Sequence, residues 1–301
     1  MQLWIPITIA AAFLQNLRSV GQKHLKSVMG TTGATFVRFG FGLPVAALYV
    51  LGLNRLAFYP FPHPGPVFLA WMTLGALSQI GATFLLIHLF SFRNFAVGTA
   101  YSRTEPVQAA LFALIFLGET VTLGVIAAIV VSVLGVMLIS IARTPMSWRN
   151  VFASLAQRTA LIGLASGTLF GIAAVAYRAA STSLGGPNFM MQAAVTLLFT
   201  IFLQTVLMLV WMVLREPEEL GRIAGAWKPS LFVGVVGATA SFGWFMAMTL
   251  QQAAVVKALA QIELIFTFAS SVFFFKEHIN RTEIAGCALI VTGILLLLLL
   301  G

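Results

Sequence analysis

Aspartate is absent from this chain: all eight acidic residues of its 301 are glutamate. That absence removes a side chain much used for helix N-caps, turns and metal sites, and it excludes an aspartyl-protease dyad. Cysteine occurs once, as Cys287 inside the last apolar run, so neither a disulfide framework nor a cysteine-based metal site is open. No His-Glu-x-x-His zinc signature occurs, and no metal is expected. Gly163-Leu164-Ala165-Ser166-Gly167 lacks the glycine two before serine that a rhomboid-like nucleophile would carry. Little is left for an intramembrane enzyme, and no cofactor is implied.

Charge is the second scarcity. Only 8% of residues are charged and 60% are hydrophobic, with a mean hydropathy of +1.00. A soluble domain this size needs a surface with roughly a quarter of its residues charged. Hydrocarbon must therefore be the solvent, where backbone polar groups are satisfied only in helices or closed barrels. The apolar runs are about twenty residues long and do not alternate, so they predict helices. The formal charge of +9 would suit nucleic acid if it formed one face. The bases are instead scattered along short loops, which reads as a topological signal with no nucleic-acid partner. Met1 to Trp4 has no basic stretch before its long apolar run, so this run is read as a first span rather than a cleaved signal.

Ten apolar segments are predicted as spans, at about 3–22, 31–53, 67–90, 95–117, 122–141, 159–180, 188–214, 229–250, 254–275 and 282–300. The run Pro60-Phe61-Pro62-His63-Pro64-Gly65-Pro66 separates the second from the third, because it cannot continue a helix. Gly185-Gly186-Pro187 separates the sixth from the seventh, and Arg215-Glu216-Pro217-Glu218-Glu219 ends the seventh. The longest polar connection divides the chain into a first half at 1–141, a linker at 142–158 and a second half at 159–301. Trp4, Trp71, Trp148, Trp211 and Trp227 fall near span ends, as an interfacial belt requires; Trp244 lies mid-span.

The halves resemble each other. A shift of 158 places Glu105 on Glu263, Phe116 on Phe274, Glu119 on Glu277, Ala127 on Ala285 and Gly135 on Gly293. The same shift puts Ala82-Thr83-Phe84 on Ala240-Ser241-Phe242, and a shift of 155 puts Lys23 on Arg178 and Gly30 on Gly185. Five spans per half force the halves into opposite orientations. Loops after odd-numbered spans carry Lys23, Lys26, Arg93, Arg143, Arg149, Arg158, Arg215, Arg222, Lys228, Lys276 and Arg281, whereas the other side has only Arg55 and Arg178. The loop at Arg55 is poor in bases and its counterpart, Arg215 to Lys228, is rich, as an inverted-topology repeat should be. The fold class expected is all-α integral membrane, with ten helices as two inverted five-helix repeats around a central cavity. A chain duplicated in this way needs no partner to complete the architecture, so monomer and homodimer both stay open. The positive-inside rule makes the odd loops cytoplasmic and turns both termini outward.

An ionisable group near mid-bilayer costs roughly 2.5–3.5 kcal/mol on insertion scales, so retaining several is informative. The fourth span carries Tyr101-Ser102-Arg103-Thr104-Glu105-Pro106, and the ninth carries Lys257 through Gln261 and Glu263. At 100° per residue, Arg103 and Glu105 point about 200° apart and cannot pair on their own helix. Each carboxylate then needs a partner from a neighbouring helix, a ligand or a proton. One reading makes Glu105 and Glu263 proton-coupling or cation-binding groups; the other makes them structural partners of Arg103, Lys257 or Arg38. Pro106 frees a carbonyl beside Glu105. Arg38 in the second span could take a substrate carboxylate bidentately or pair with Glu105. Arg18 with Gln15, one turn apart, faces either the cavity or the interface. Tyr101 and Trp244 are candidates to stack on a ligand, and Gln79, Gln192, Gln251, Gln252 and Gln261 to donate hydrogen bonds, with packing as the alternative for each. Glu119 and Glu277 read as caps or interfacial groups, His88 as interfacial, and Gly163, Gly167 and Gly171 as a seam for close helix contact.

Glu105-Pro106-Val107 through Phe116-Leu117-Gly118-Glu119 and Gly135, with their counterparts Glu263 through Phe275-Lys276-Glu277 and Gly293, resemble the drug/metabolite transporter superfamily, in particular its EamA-type ten-span members. The resemblance covers the whole chain. It implies a cavity between spans of both halves, opened alternately to each side of a bacterial inner membrane. It also implies secondary active transport of amino acids, amines or related metabolites, often as proton-driven efflux. The resemblance favours cytoplasmic termini, the opposite of the charge bias. A non-coupled channel or facilitator is the alternative function.

The charge bias makes a direct prediction. With Cys287 replaced by Ser, the variants Lys23→Cys and Arg222→Cys should react with an impermeant maleimide from the same face, and Arg55→Cys from the other. Labelling of positions 23 and 222 from opposite faces sinks the mirrored layout.

Overall fold

The computed structural model describes residues 2–89, 101–142, 158–186, 188–273 and 280–300. Outside them lie residues 143–157 of the linker, Trp148, Arg93, Arg143 and Arg149, the start of the fourth span at 95–100, Pro187, and Phe274 through Lys276 and Glu277.

The described residues form thirteen α-helices: α1 Trp4–Leu25, α2 Thr31–Gly40, α3 Gly42–Arg55, α4 Pro66–Leu89, α5 Glu105–Leu117, α6 Leu123–Ala142, α7 Arg158–Ser183, α8 Phe189–Arg215, α9 Glu218–Gly225, α10 Trp227–Leu250, α11 Ala253–Leu259, α12 Ile262–Phe273 and α13 Arg281–Leu300. Among these residues six stretches are long and apolar enough to cross a membrane, the first running through the turn between α2 and α3: 31–55, 66–86, 158–183, 189–215, 227–250 and 281–300. Glu105–Leu117 and Leu123–Ile139 are shorter apolar helices. The first expected span is helical as α1 but is not among the six; its second half carries Gln15, Asn16, Arg18, Gln22 and Lys23.

Three expected spans are interrupted, and two of the interruptions have a visible cause. Phe41 is a turn between α2 and α3, where Pro44 has no N–H to offer the Gly40 carbonyl one turn back. Arg103 and Thr104 form a turn before α5, where Pro106 likewise cannot bond Ser102. There the chain tightens, with Thr104 N–H donating to Tyr101 O at 3.2 Å and Val107 N–H to Thr104 O at 3.0 Å. Ala260 and Gln261 break the ninth span without a proline, and the same three-residue bonds recur, Glu263 N–H to Ala260 O at 3.0 Å and Leu264 N–H to Gln261 O at 3.0 Å.

The chain divides into two compact units, and each draws on both sequence halves. The first comprises 1–77 and 176–251. In it α1 lies along α10, which also meets α2, α3 and α8. Small residues allow this: a Cβ on Gly243 would stand 2.9 Å from Ala11 Cβ. The loop helix α9, absent from the expected pattern, starts at Pro217 with Glu218 and Glu219 in its first turn. Glu219 is 4% exposed and accepts from Gly30 N–H at 2.8 Å, while Glu216 accepts from Thr32 Oγ1 at 3.1 Å. Both carboxylates thus sit at the positive N-terminal end of α2, with Arg222 paired to Glu219. At its other end α10 stops where Arg178 Nη1 donates to Met248 O at 2.8 Å and Gln251 O at 2.7 Å, a cation on orphan carbonyls.

The second unit comprises 78–175 and 252–301. Its longest contact is α6 against α13, where a Cβ on Gly135 would stand 2.7 Å from Gly286 O. Without a hydrophobic drive in lipid, such close backbone approach is what holds helices together. Gly167 and Gly171 of α7 do the same for the fourth span. A Cβ on Gly167 would stand 2.9 Å from Ser102 O, and one on Gly171 3.2 Å from Ala109 N. At the foot of α5, Gly118 is left-handed at φ 65°; its N–H bonds Leu114 O and that of Glu119 bonds Ala113 O, both at 3.1 Å, a glycine-terminated cap. At the head of α13, Asn280 N–H donates to Glu283 Oε2 at 3.0 Å and Asn280 Oδ1 accepts from Thr282 N–H at 3.1 Å, a capping box that buries Glu283.

Gly135→Val should lower thermal stability by about 1–3 kcal/mol through overpacking of the α6–α13 seam, read as a drop in the melting temperature of purified protein. Gly52→Ala, which meets nothing within 4 Å, should leave it within experimental error.

Candidate functional site

The second unit gathers most of the candidate polar residues at its two helix breaks. Glu105 is the first residue of α5, and Glu263 lies in the first turn of α12. Both acids therefore occupy helix starts, where the free N–H groups and the helix dipole favour negative charge. Each also meets a cation from the other broken span. Lys257 Nζ approaches Glu105 Oε1 at 2.8 Å, an ion pair whose angles fall short of a hydrogen bond. Arg103 Nη1 stands 3.8 Å from Glu263 Oε2. The arrangement is reciprocal: the turn before α5 supplies the cation for α12, and α11 supplies the cation for α5.

The two pairs differ in strength. Lys257 and Glu105 are each about one-fifth exposed, so their attraction is weakly screened, whereas Arg103 is 35% exposed and its pair is longer. Gln261, in the break itself, is buried, and its Oε1 has no hydrogen-bond partner among the described residues. Gln108 Nε2 donates to Thr104 Oγ1 at 2.9 Å, which braces the first turn of α5. Tyr101 is buried against Ala160, Met137 and Leu164, so its ring packs in an apolar setting. Gln79 belongs to the same unit and is half-buried, its carbonyl accepting from Thr83 Oγ1 at 2.7 Å. Gln252 Nε2 donates to Thr120 O at 3.2 Å.

Two candidates belong to the first unit. Arg38 is buried in α2, with Nη2 donating to Ser241 Oγ at 3.1 Å and its guanidinium 5.3 Å from the centre of the Phe39 ring. Trp244 is buried in α10 and donates Nε1–H to Gln15 Oε1 at 3.0 Å. The carboxylate expected as one alternative for Arg38, Glu105, is held by Lys257. The first unit also contains a polar node that the sequence did not single out: Tyr177 OH donates to Gly75 O at 2.9 Å, and Gln204 Nε2 donates to Ala76 O at 3.3 Å. Glu219 was likewise unmarked. Its signal was Pro217 followed by two acids and a Leu220–Ile223 apolar spacing, the pattern of a helix start. Among the described residues no group of three or more His, Cys or Glu is arranged to hold a metal ion.

Removing Glu105 leaves Lys257 without its carboxylate, so Glu105→Gln and Lys257→Met should each cost up to about 3 kcal/mol, the low end for breaking a buried pair on one side. The double variant should lose clearly less than their sum in thermal unfolding. Strict additivity means that the 2.8 Å pair contributes nothing to stability.

No curated protein matches the chain. A solved structure described only as a crystal structure of a protein superimposes with a TM-score of 0.72 at 18% identity, over 99% of this chain and 96% of the other; at that identity the likeness is one of fold. The model of the EamA-like transporter family matches twice, over residues 2–141 and 157–299. Two repeats of one family model, on an all-helical chain with six apolar stretches of membrane-crossing length, make this a multi-pass membrane protein, and the chain belongs to the EamA-like transporter family of the drug/metabolite transporter superfamily.

Proposed function

We propose that the chain is a secondary active transporter that exports a small polar or amphipathic metabolite by alternating access, with proton coupling through Glu105 and Glu263. The observation that carries this reading is the reciprocal pairing at the two helix breaks, Lys257 with Glu105 and Arg103 with Glu263. Discontinuous helices at membrane depth with charged groups at their ends are the form that ion and substrate sites take in inverted-repeat transporters. A proton on either carboxylate removes its attraction for the partner cation. The two halves of a broken span are then held by fewer contacts and can reorient. With the proton gone, the pair re-forms. Loading and release of the proton thereby bias a two-state element, which coupling requires.

The ten-crossing, mirrored layout belongs to the same proposal, with halves at 1–141 and 159–301 and a linker at 142–158. Ten crossings put the loops after the first and seventh spans on one side. The bond from Gly30 to Glu219 joins those two loops in the first unit, which supports this arrangement. A bacterial inner membrane and outward movement are what the family resemblance implies. Glu105, Glu263, Arg103, Lys257 and Gln261 are the residues proposed for coupling, with Tyr101 and Gln79 beside them in sequence or unit.

Amino acids, amines and nucleosides should be screened by thermal shift, since a ligand of the folded state raises its stability. Each hit is then added to proteoliposomes holding a pH dye. The wild type should move protons with substrate; Glu105→Gln and Glu263→Gln together should abolish that coupling without loss of fold. Proton movement unchanged in the double variant rules these acids out as the coupling groups.

A further inference from the structure

The first unit holds a buried cation that the coupling pairs do not employ. Arg38 is 8% exposed, and a guanidinium keeps its charge and its five N–H donors in any protein setting. Among the described residues no carboxylate comes within 4.0 Å of it. Of the acids of the same unit, Glu216 and Glu219 serve the N-terminal end of α2 and Glu218 meets Arg222 at 3.4 Å. One donor nitrogen of Arg38 reaches the Ser241 hydroxyl at 3.1 Å, and its Nε has no hydrogen-bond partner among the described residues. Its strongest charged neighbour is a like charge, Arg18. The stems of both arginines lie on one glycine: a Cβ on Gly237 would stand 3.2 Å from Arg18 Cδ and 3.3 Å from Arg38 Cγ. A larger residue there would push the two stems aside.

Burying a charge with a like charge beside it is costly, and a protein offsets that cost with an opposite charge or an equivalent set of dipoles. The described residues give Arg38 one hydroxyl and the face of one ring, Phe39. Ser241 and the Arg18 stem belong to a run of polar and aromatic residues on α10 and α1. Ser241 and Trp244 stand one turn apart on α10, Gln15 and Arg18 one turn apart on α1, and Trp244 is bonded to Gln15. In the same unit the Tyr177 ring packs 4.5 Å from that of Phe245. Planar forked donors next to aromatic faces match a planar anion with an apolar body.

We infer that Arg38, with Arg18 beside it and Ser241 as a neutral donor, recognises a small organic carboxylate with an aromatic or other apolar body, so that the transported metabolite is an anion. This inference rests on the transport reading for its role, but the site can be tested apart from it. Benzoate, phenylacetate, benzamide and benzylamine are the probes, read by thermal shift and intrinsic tryptophan fluorescence on the full chain in detergent. The two carboxylates should raise the melting temperature saturably, and the neutral amide and the amine should not. Arg38→Gln should weaken carboxylate binding by about tenfold or more, the usual worth of a charge-assisted contact. Arg38→Lys should keep part of it, because the charge survives and the fork does not. Ser241→Ala retains both arginines and should weaken binding a few-fold, which keeps the test open should Arg38→Gln fail to fold. No carboxylate response in the wild type, an equal response to benzamide, or affinity unchanged in both Arg38→Gln and Ser241→Ala overturns the site. Proton-coupled flux that survives with no carboxylate binding removes this site alone. Arg38-dependent binding without any flux supports the site and removes the transport reading alone.

Discussion

Hydrocarbon supplies neither water nor counter-ions, so a charge that this chain takes to membrane depth has to be answered by the protein or by what it binds. That constraint explains the reciprocal pairs of the second unit. Breaking a span creates unsatisfied N–H groups and a local positive end, and each break is followed at once by a glutamate, Glu105 or Glu263. The acid answers the helix end, and a cation from the other broken span answers the acid. Neither pair stands on one helix, because the angular spacing of residues two or six apart forbids it. The charges therefore tie α5 to α11, and the turn before α5 to α12. The same residues that make the breaks tolerable also connect them.

Close packing makes room for this. Helices in lipid gain nothing from excluding lipid tails as such and depend on backbone approach. Gly167 and Gly171 of α7 admit the fourth span where it is broken, at Ser102 and Ala109. Gly135 and Gly286 do the same for the α6–α13 pair. In the first unit, Gly30 and Gly237 serve charge rather than contact: one leaves room for the Glu219 carboxylate, the other lets two arginine stems share a surface. Six of the eight glutamates, Glu105, Glu216, Glu218, Glu219, Glu263 and Glu283, bond or stand at the start of a helix, so a chain without aspartate has placed its acids where Asp would ordinarily cap.

The two units carry charge differently. The second balances two acids with two cations. The first gives Arg38 a hydroxyl, the face of one ring and another arginine.

How much of this was legible in the sequence follows from the range of each interaction. Apolar length and the scarcity of charge determined the helical membrane class, because burial in lipid acts on every residue of a span at once. The recurrence of Glu105 and Glu263 at one offset exposed the repeat, and Pro44 and Pro106 marked two of the breaks, since a missing N–H is a property of the residue itself. The break at Ala260-Gln261 left no such mark. Nor did the burial of Glu219, or the choice of Lys257 rather than Arg38 as the partner of Glu105. Those were decided only by tertiary structure, because a charge pairs with whatever the fold brings within a few ångströms, and residues 152 positions apart in the chain have no local property that says they will meet.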